Sequence, residues 1–131
     1  MTNTAASLDL ILVDRYTALW NEPDVELRRR AIAELWTAHG VEYVEGARFS
    51  GRDALDTRVA EAYNAFVATG LYRAANAADA HRHDDLVTFT IQLIGAETGE
   101  IAWAARIFLL LDADSKIRED YQLTVQPLAA Q

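Results

Sequence analysis

Residues 86–111 read LVTFTIQLIGAETGEIAWAARIFLLL, and this stretch decides the fold. In its first half Val87, Phe89, Ile91 and Leu93 alternate with Thr88, Thr90 and Gln92. A period of two places the apolar set on one face of a strand. Glu97-Thr98-Gly99 supplies a turn. The second half is apolar on both faces. Ile101, Trp103, Ala105, Ile107 and Leu109 lie on one side; Ala102, Ala104, Phe108 and Leu110 lie on the other, with Arg106 among them. A strand buried on both faces needs a cover on each.

Working outward, the same spacing runs from Leu71 to Gln126. It predicts four strands: Tyr72 to Arg82, Leu86 to Ala96, Ile101 to Leu111 and Lys116 to Gln126. His83-Asp84-Asp85 and Asp112-Ala113-Asp114-Ser115 are the other turns. Before Gly70 the apolar residues recur at helical spacing instead. Ser7 predicts the N-cap of a first helix that runs through Trp20 and carries Leu8, Leu12, Tyr16, Leu19 and Trp20 on one face. Asp24 predicts the cap of a second, with Leu27, Ala31, Ile32, Leu35 and Trp36 on one face and Gly40 as its stop. His39 falls at its end. Val41 to Glu45 reads as a short strand. Ser50 with Asp53 resembles a capping box for a third helix through Thr69. Leu55, Val59, Ala62, Tyr63, Phe66 and Val67 form its apolar stripe. Helices first and an antiparallel meander second describe one α+β domain, a curved antiparallel sheet packed on three N-terminal helices in the order α-α-β-α-β-β-β-β.

Composition narrows the function classes. The 131 residues are 51% hydrophobic and carry a net charge of −8. That sign repels a phosphate backbone, so nucleic acid is not an expected partner. The basic run Arg28-Arg29-Arg30, flanked by Glu26 and Glu34, reads as a solvated, ion-paired helix face. Cysteine is absent, which excludes disulfides, thiolate metal sites and cysteine nucleophiles. No apolar run is long enough to span a bilayer, so no membrane partner is expected. Met1 to Ala6 lack the features of a signal peptide, and a cytoplasmic location is the expectation. The tail from Leu128 is expected to fray. The doubly apolar third long strand, with helices on one side, predicts a homodimer formed through the sheet face.

The element order and several short stretches resemble the nuclear transport factor two-like superfamily, in its SnoaL-like polyketide cyclase and ketosteroid isomerase branches. The stretches are Asp14 to Asn21 with Asp24, Leu35-Trp36, Val41 to Glu45, Phe49 to Leu55 and Leu111 to Ile117. The resemblance spans about Leu8 to Val125 and implies a cone-shaped sheet around a cavity. It implies a small hydrophobic, carbonyl-bearing or polyketide-like ligand, no cofactor, and acid/base chemistry if the protein is an enzyme. By position it makes Glu45 the base and Tyr16 a donor to a developing oxyanion, with Tyr63 supporting Tyr16. It also expects a protonated acid on the third long strand, where this chain has Ile107.

The residues themselves leave alternatives. Glu45 can be a buried base or an exposed strand-end partner of Arg48 or Arg52. Tyr16 and Tyr63 can be a catalytic pair or two core tyrosines. Glu119 and Tyr121 share a face with Ile117 and Leu123; if that face looks inward, Glu119 is a second cavity acid, and otherwise it pairs with Arg106 or Arg118. Trp36, Tyr43, Phe49, Phe66, Phe89, Trp103 and Tyr121 can line a pocket or fill a core. Asp79, His81 and His83 alternate on one strand at chelating distance, but no third ligand is evident from another element, and no metal is expected. A module that only binds or dimerises, its cavity filled by its own side chains, is the competing functional reading.

Overall fold

The computed structural model describes residues 4–129. Helix α1 spans Thr4–Leu19 and α2 spans Val25–Leu35. Strands β1 (Trp36–Val44) and β2 (Ala47–Ser50) form a hairpin. Helix α3 (Arg52–Ala62) continues into a π-helical turn, Tyr63–Val67. Five strands follow: β3 (Tyr72–Asn76), β4 (His81–His83), β5 (Leu86–Gly95), β6 (Ile101–Leu111) and β7 (Ile117–Gln126). They form one open sheet in the order β2-β1-β7-β6-β5-β3, with β4 paired to β5 beside β3.

The core lies between the helices and one face of this sheet. Val13, Tyr16, Leu19 and Trp20 of the first helical segment meet Ile32 and Leu35 of α2 and Leu55 and Val59 of α3. Beneath them lie Val87, Phe89 and Ile91 of β5 and Ala105, Ile107 and Leu109 of β6. The strand alternation read from residues 86–111 therefore selects the inner face as expected. The stripes of the three helices supply its cover, except that Leu27 of α2 is exposed and its place on the buried side is taken by Arg28; the Leu8 side chain lies outside the described side chains.

Several local expectations are corrected. The sheet is mixed rather than wholly antiparallel, because β1 and β7 run parallel. Helix α1 begins at Thr4, so Ser7 lies within it. Asp24 does cap α2, accepting from the Leu27 N–H at 3.0 Å. That helix ends at Leu35, so Trp36, His39 and Gly40 belong to β1. Gly40 is needed for a close approach: a Cβ there would stand 2.6 Å from Trp36 Cδ1. Gly51, not Ser50, is the N-cap of α3, and it makes no side-chain cap. The first long strand breaks into β3 and β4, because Asp79 between them takes the Thr90 N–H at 2.8 Å. Arg28 is not solvated. It is 4% exposed, donates to the Glu22 and Pro23 carbonyls, and lies over the Tyr63 ring. Arg29 does pair with Glu26 and Asp56 on the surface.

One irregularity positions the site. Leu111 pairs with Ile117 and Leu110 with Glu119, so Arg118 is an extra residue on β7. Such a bulge reverses which side chains face inward beyond it. Ile117 before it and Asp120 and Gln122 after it are buried, while Glu119 and Tyr121 turn to the outer face.

Candidate functional site

A pocket of about 450 Å³ opens between α3, the π-helical turn and the sheet. Ala62, Phe66 and Val67 form its helical wall. Trp20, Ile91, Leu93 and Trp103 form an apolar floor. Pro127 and Leu128 stand at its end, together with Glu45 and Thr124. Among the described residues Arg58 is its one cationic group, and Gln92 and Gln122 add amides. The volume falls in the range that holds a small organic ligand.

Behind Arg58 lies a buried polar cluster assembled from four elements. Tyr16 from α1 donates its hydroxyl to Asp120 Oδ2 at 2.6 Å. Asp120 from β7 and Glu42 from β1 are cross-strand partners. Arg58 from α3 donates from Nε to Glu42 Oε1 at 2.9 Å. Tyr16, Glu42 and Asp120 are each 0% exposed. Aromatic rings close the cluster off: Tyr16 packs on Trp20, Trp36 and Phe89, and Arg58 lies over Trp20 and Phe49.

Two buried carboxylates side by side cannot both be charged at reasonable cost. Burial pushes the Asp120 carboxyl well above the usual carboxylate range, and the neighbouring Glu42 charge pushes it further. Burial also raises Glu42, but the Arg58 guanidinium pulls it back. The proton therefore sits on Asp120 and the charge on Glu42, beside its counter-ion. The geometry agrees. Glu42 Oε2 and Asp120 Oδ1 are buried and lack any other partner. One proton shared between the two carboxyls satisfies both atoms. Burial, with the negative charge that the carboxyl pair carries, likewise holds the Tyr16 phenol well above its ordinary value.

Arg58 connects the cluster to the pocket. Its side chain is 18% exposed. Only Nε is engaged; among the described residues no acceptor takes a hydrogen bond from its two terminal nitrogens. A guanidinium fork with free donors, set in apolar walls, suits an oxygen that carries or develops negative charge.

The residues singled out from the sequence divide into three groups. Glu45, Phe66 and Trp103 line the pocket. Glu45 is exposed at its rim and accepts the Thr124 N–H at 2.5 Å. Tyr16, Trp36, Phe89 and Ile107 are core, each 0% exposed, and none lines the pocket. Tyr16 thus spends its hydroxyl on Asp120 rather than on a ligand. Tyr63 does not support it; its ring lies under the Arg28 guanidinium at 5.0 Å. Phe49 lies under Arg58, outside the lining. Tyr43 and Tyr121 stack on the outer face, ring centroids 4.7 Å apart, beside Glu119. The inward turn of Glu119 and Tyr121 expected from simple alternation is corrected by the Arg118 bulge. Neither Asp79, His81 nor His83 reaches the pocket. Among the described residues no group of three metal-ligating side chains forms.

Sequence reasoning missed Glu42, Arg58, Asp120 and Gln122. Arg58 carried a signal. It sits three residues after Leu55 and four before Ala62, inside the apolar stripe of α3, where a charge demands a buried partner. Asp120 carried none, because its inward direction depends on the bulge.

Three helices against an open mixed sheet with a pocket between them define the nuclear transport factor two-like α+β cone, and solved structures bear this out. A candidate isomerase of the SnoaL-like family from Agrobacterium tumefaciens superposes with a TM-score of 0.80 at 20% identity, over 90% of this chain and 97% of its own. A candidate polyketide cyclase from Sinorhizobium meliloti gives 0.65 at 18% identity, over 85% and 92%. An NTF2-like protein from Novosphingobium aromaticivorans gives 0.62 at 21% identity, over 98% and 92%. These likenesses show the fold. No protein-family model matches the chain, and no curated protein matches its sequence.

Proposed function

We propose that the protein binds a small, mostly apolar, carbonyl-bearing molecule and moves a proton next to that carbonyl without a cofactor. The observation that carries this reading is the Arg58 fork, the one cation that the described residues place in an apolar pocket whose rim holds Glu45. In this reading the substrate oxygen meets the terminal nitrogens of Arg58. Glu45 takes the proton from the adjacent carbon, and the enolate charge falls on the guanidinium. Gln92 and Gln122 are the neutral groups available to orient the ligand. Arg58 thus takes the role that the resemblance gave to Tyr16, while Glu45 keeps its own. Isomerisation and ring closure both begin with this step, and two of the similar structures carry names of those classes.

The test is solvent deuterium entry into a series of aryl methyl ketones, followed by NMR. The wild type is expected to accelerate exchange over buffer. Glu45→Gln is expected to lose about 10²–10⁴-fold, the worth of a positioned base. Arg58→Met is expected to lose about 10²–10³-fold, as an oxyanion donor does. A wild type no faster than buffer would reject catalysis.

A second reading, a binder without chemistry, draws on a different observation: Tyr16 and Asp120 are wholly buried and bonded to each other. Ligand binding that survives with no deuterium exchange is its signature.

A further inference from the structure

The walls of the pocket have a length and a direction. We propose that the ligand is an elongated monoketone, its carbonyl on the Arg58 fork and an apolar tail reaching Leu128, and that Leu128 selects the ligand's length. The inference rests on the pocket reading and adds the ligand's length and orientation.

Helix and sheet measure the same length. Arg58, Ala62 and Phe66 line the helical side at steps of four residues, so they follow one another along α3 and the π-helical turn. Phe66 lies eight residues after Arg58, roughly 12 Å at the helical rise. On the sheet, Gln122 pairs with Ile107, Thr124 and Ile91 pair with Ala105, and Leu93 pairs with Trp103. The floor is therefore stepped: Gln122 first, then Ile91 and Thr124, then Leu93 and Trp103. Trp103 lies four residues from Ile107 along β6, about 13 Å at the strand rise. Beyond it stand Pro127 and Leu128. Pro127 has no N–H for the ladder, so β7 ends at Gln126 and the chain leaves the sheet. The Gln126 side chain donates to the Ile101 carbonyl at 2.8 Å, which ties that end of β7 to the start of β6.

The two ends differ in chemistry. Arg58 and the buried Gln122 stand at one end, Phe66, Leu93, Trp103 and Leu128 at the other. Glu42 already balances the Arg58 charge, so a neutral carbonyl on the fork leaves the site neutral. Along the length Gln92 and Thr124 are neutral, and Glu45 stays at the rim, where it takes the Thr124 N–H. A ligand turned the other way would set its carbonyl among apolar side chains that offer it no donor and press its tail on the guanidinium. The carbonyl-first orientation satisfies both ends.

The probes are acetophenones with a para n-alkyl chain, from methyl to octyl, and titration calorimetry reads their affinity. Affinity is expected to rise about fourfold per added methylene and to level off near pentyl, where the ketone matches the floor in length. Leu128→Asp sets a carboxylate where the tail ends, and the side chain it replaces is exposed, so it asks little of the fold. This variant is expected to weaken the pentyl homologue about tenfold and to leave the methyl homologue unchanged. Arg58→Met is expected to weaken both by the same factor, because the carbonyl is common to them. Affinity that is flat with chain length or climbs unbroken to octyl, or a Leu128→Asp loss shared equally by methyl and pentyl, overturns the proposal. In each of these cases methyl-homologue binding that is lost in Arg58→Met still upholds the pocket reading, so the two can fail separately. If no homologue binds, both fail.

Discussion

At the scale of the residue, Asp120 is the most informative side chain. It is completely buried, takes the Tyr16 hydroxyl, and shares a proton with Glu42. Its folded-state pKa is raised, by burial first and by the Glu42 charge second. The native protein therefore holds a proton that the unfolded chain releases above roughly pH 4. Stability from this group is full below that pH and is lost as pH rises through the native value. While the difference lasts, the slope is ~1.4 kcal/mol per pH unit. Asp120→Asn keeps the shape, the acceptor for Tyr16 and a donor toward Glu42, yet cannot titrate. Urea midpoints measured across pH 5–8 are expected to fall with pH in the wild type and to flatten in Asp120→Asn. Equal slopes would mean that the proton does not reside where the geometry puts it.

At the scale of the element, the sequence was legible wherever periodicity was unbroken. The alternation in β5 and β6 and the stripes of α1 and α3 predicted the sheet, its inner face and the helical cover, because burial enforces those periods. Legibility failed where the backbone departs from its period. The extra residue at Arg118 turned Glu119 outward and Asp120 inward. The arch in β1 between Trp36 and Val41 hid the start of that strand inside an apparent helix. No local signal marks either feature, since both arise from pairing between strands distant in sequence. Gly40 in that arch read as a helix stop, the right residue with the wrong reason. Its place against Trp36 makes a direct test. A Cβ at position 40 would meet Trp36 Cδ1 at 2.6 Å and the Ile117 carbonyl oxygen at 3.1 Å. Trp36 is fully buried, so its ring has little freedom to give way. Gly40→Ala is expected to cost about 1–3 kcal/mol, the usual penalty of overpacking a core. Urea unfolding should show a lower midpoint with an unchanged slope. An unaffected midpoint would mean that the arch is loose, and with it the placement of Glu42 two residues on.

At the scale of the molecule, the helices cover one face of the sheet, and among the described residues nothing covers the other. Tyr43 and Tyr121 stack there, Phe108 pairs with Tyr121 across the strands, and Leu123 and Val125 continue the row at 51% and 63% exposure. Burying three aromatic rings and two aliphatic side chains in one patch would remove several hundred Å² of apolar surface from water, worth roughly 25 cal/mol per Å² before the cost of association. The doubly apolar pattern of β6 already led to a second copy as the cover, and a two-fold pairing of identical sheets is the simplest self-complementary arrangement. Light scattering at micromolar concentration is therefore expected to report a mass of two chains. Leu123→Lys is the sharper probe. It sets a charge within that apolar row, while its side chain, more than half exposed in the single chain, asks little of the fold. The variant is expected to run as a monomer with an unchanged circular dichroism spectrum, and with the Arg58 pocket still binding, because that pocket lies on the opposite face. A wild type that scatters as one chain, or a Leu123→Lys variant that stays paired, would assign the outer face to something other than a second copy.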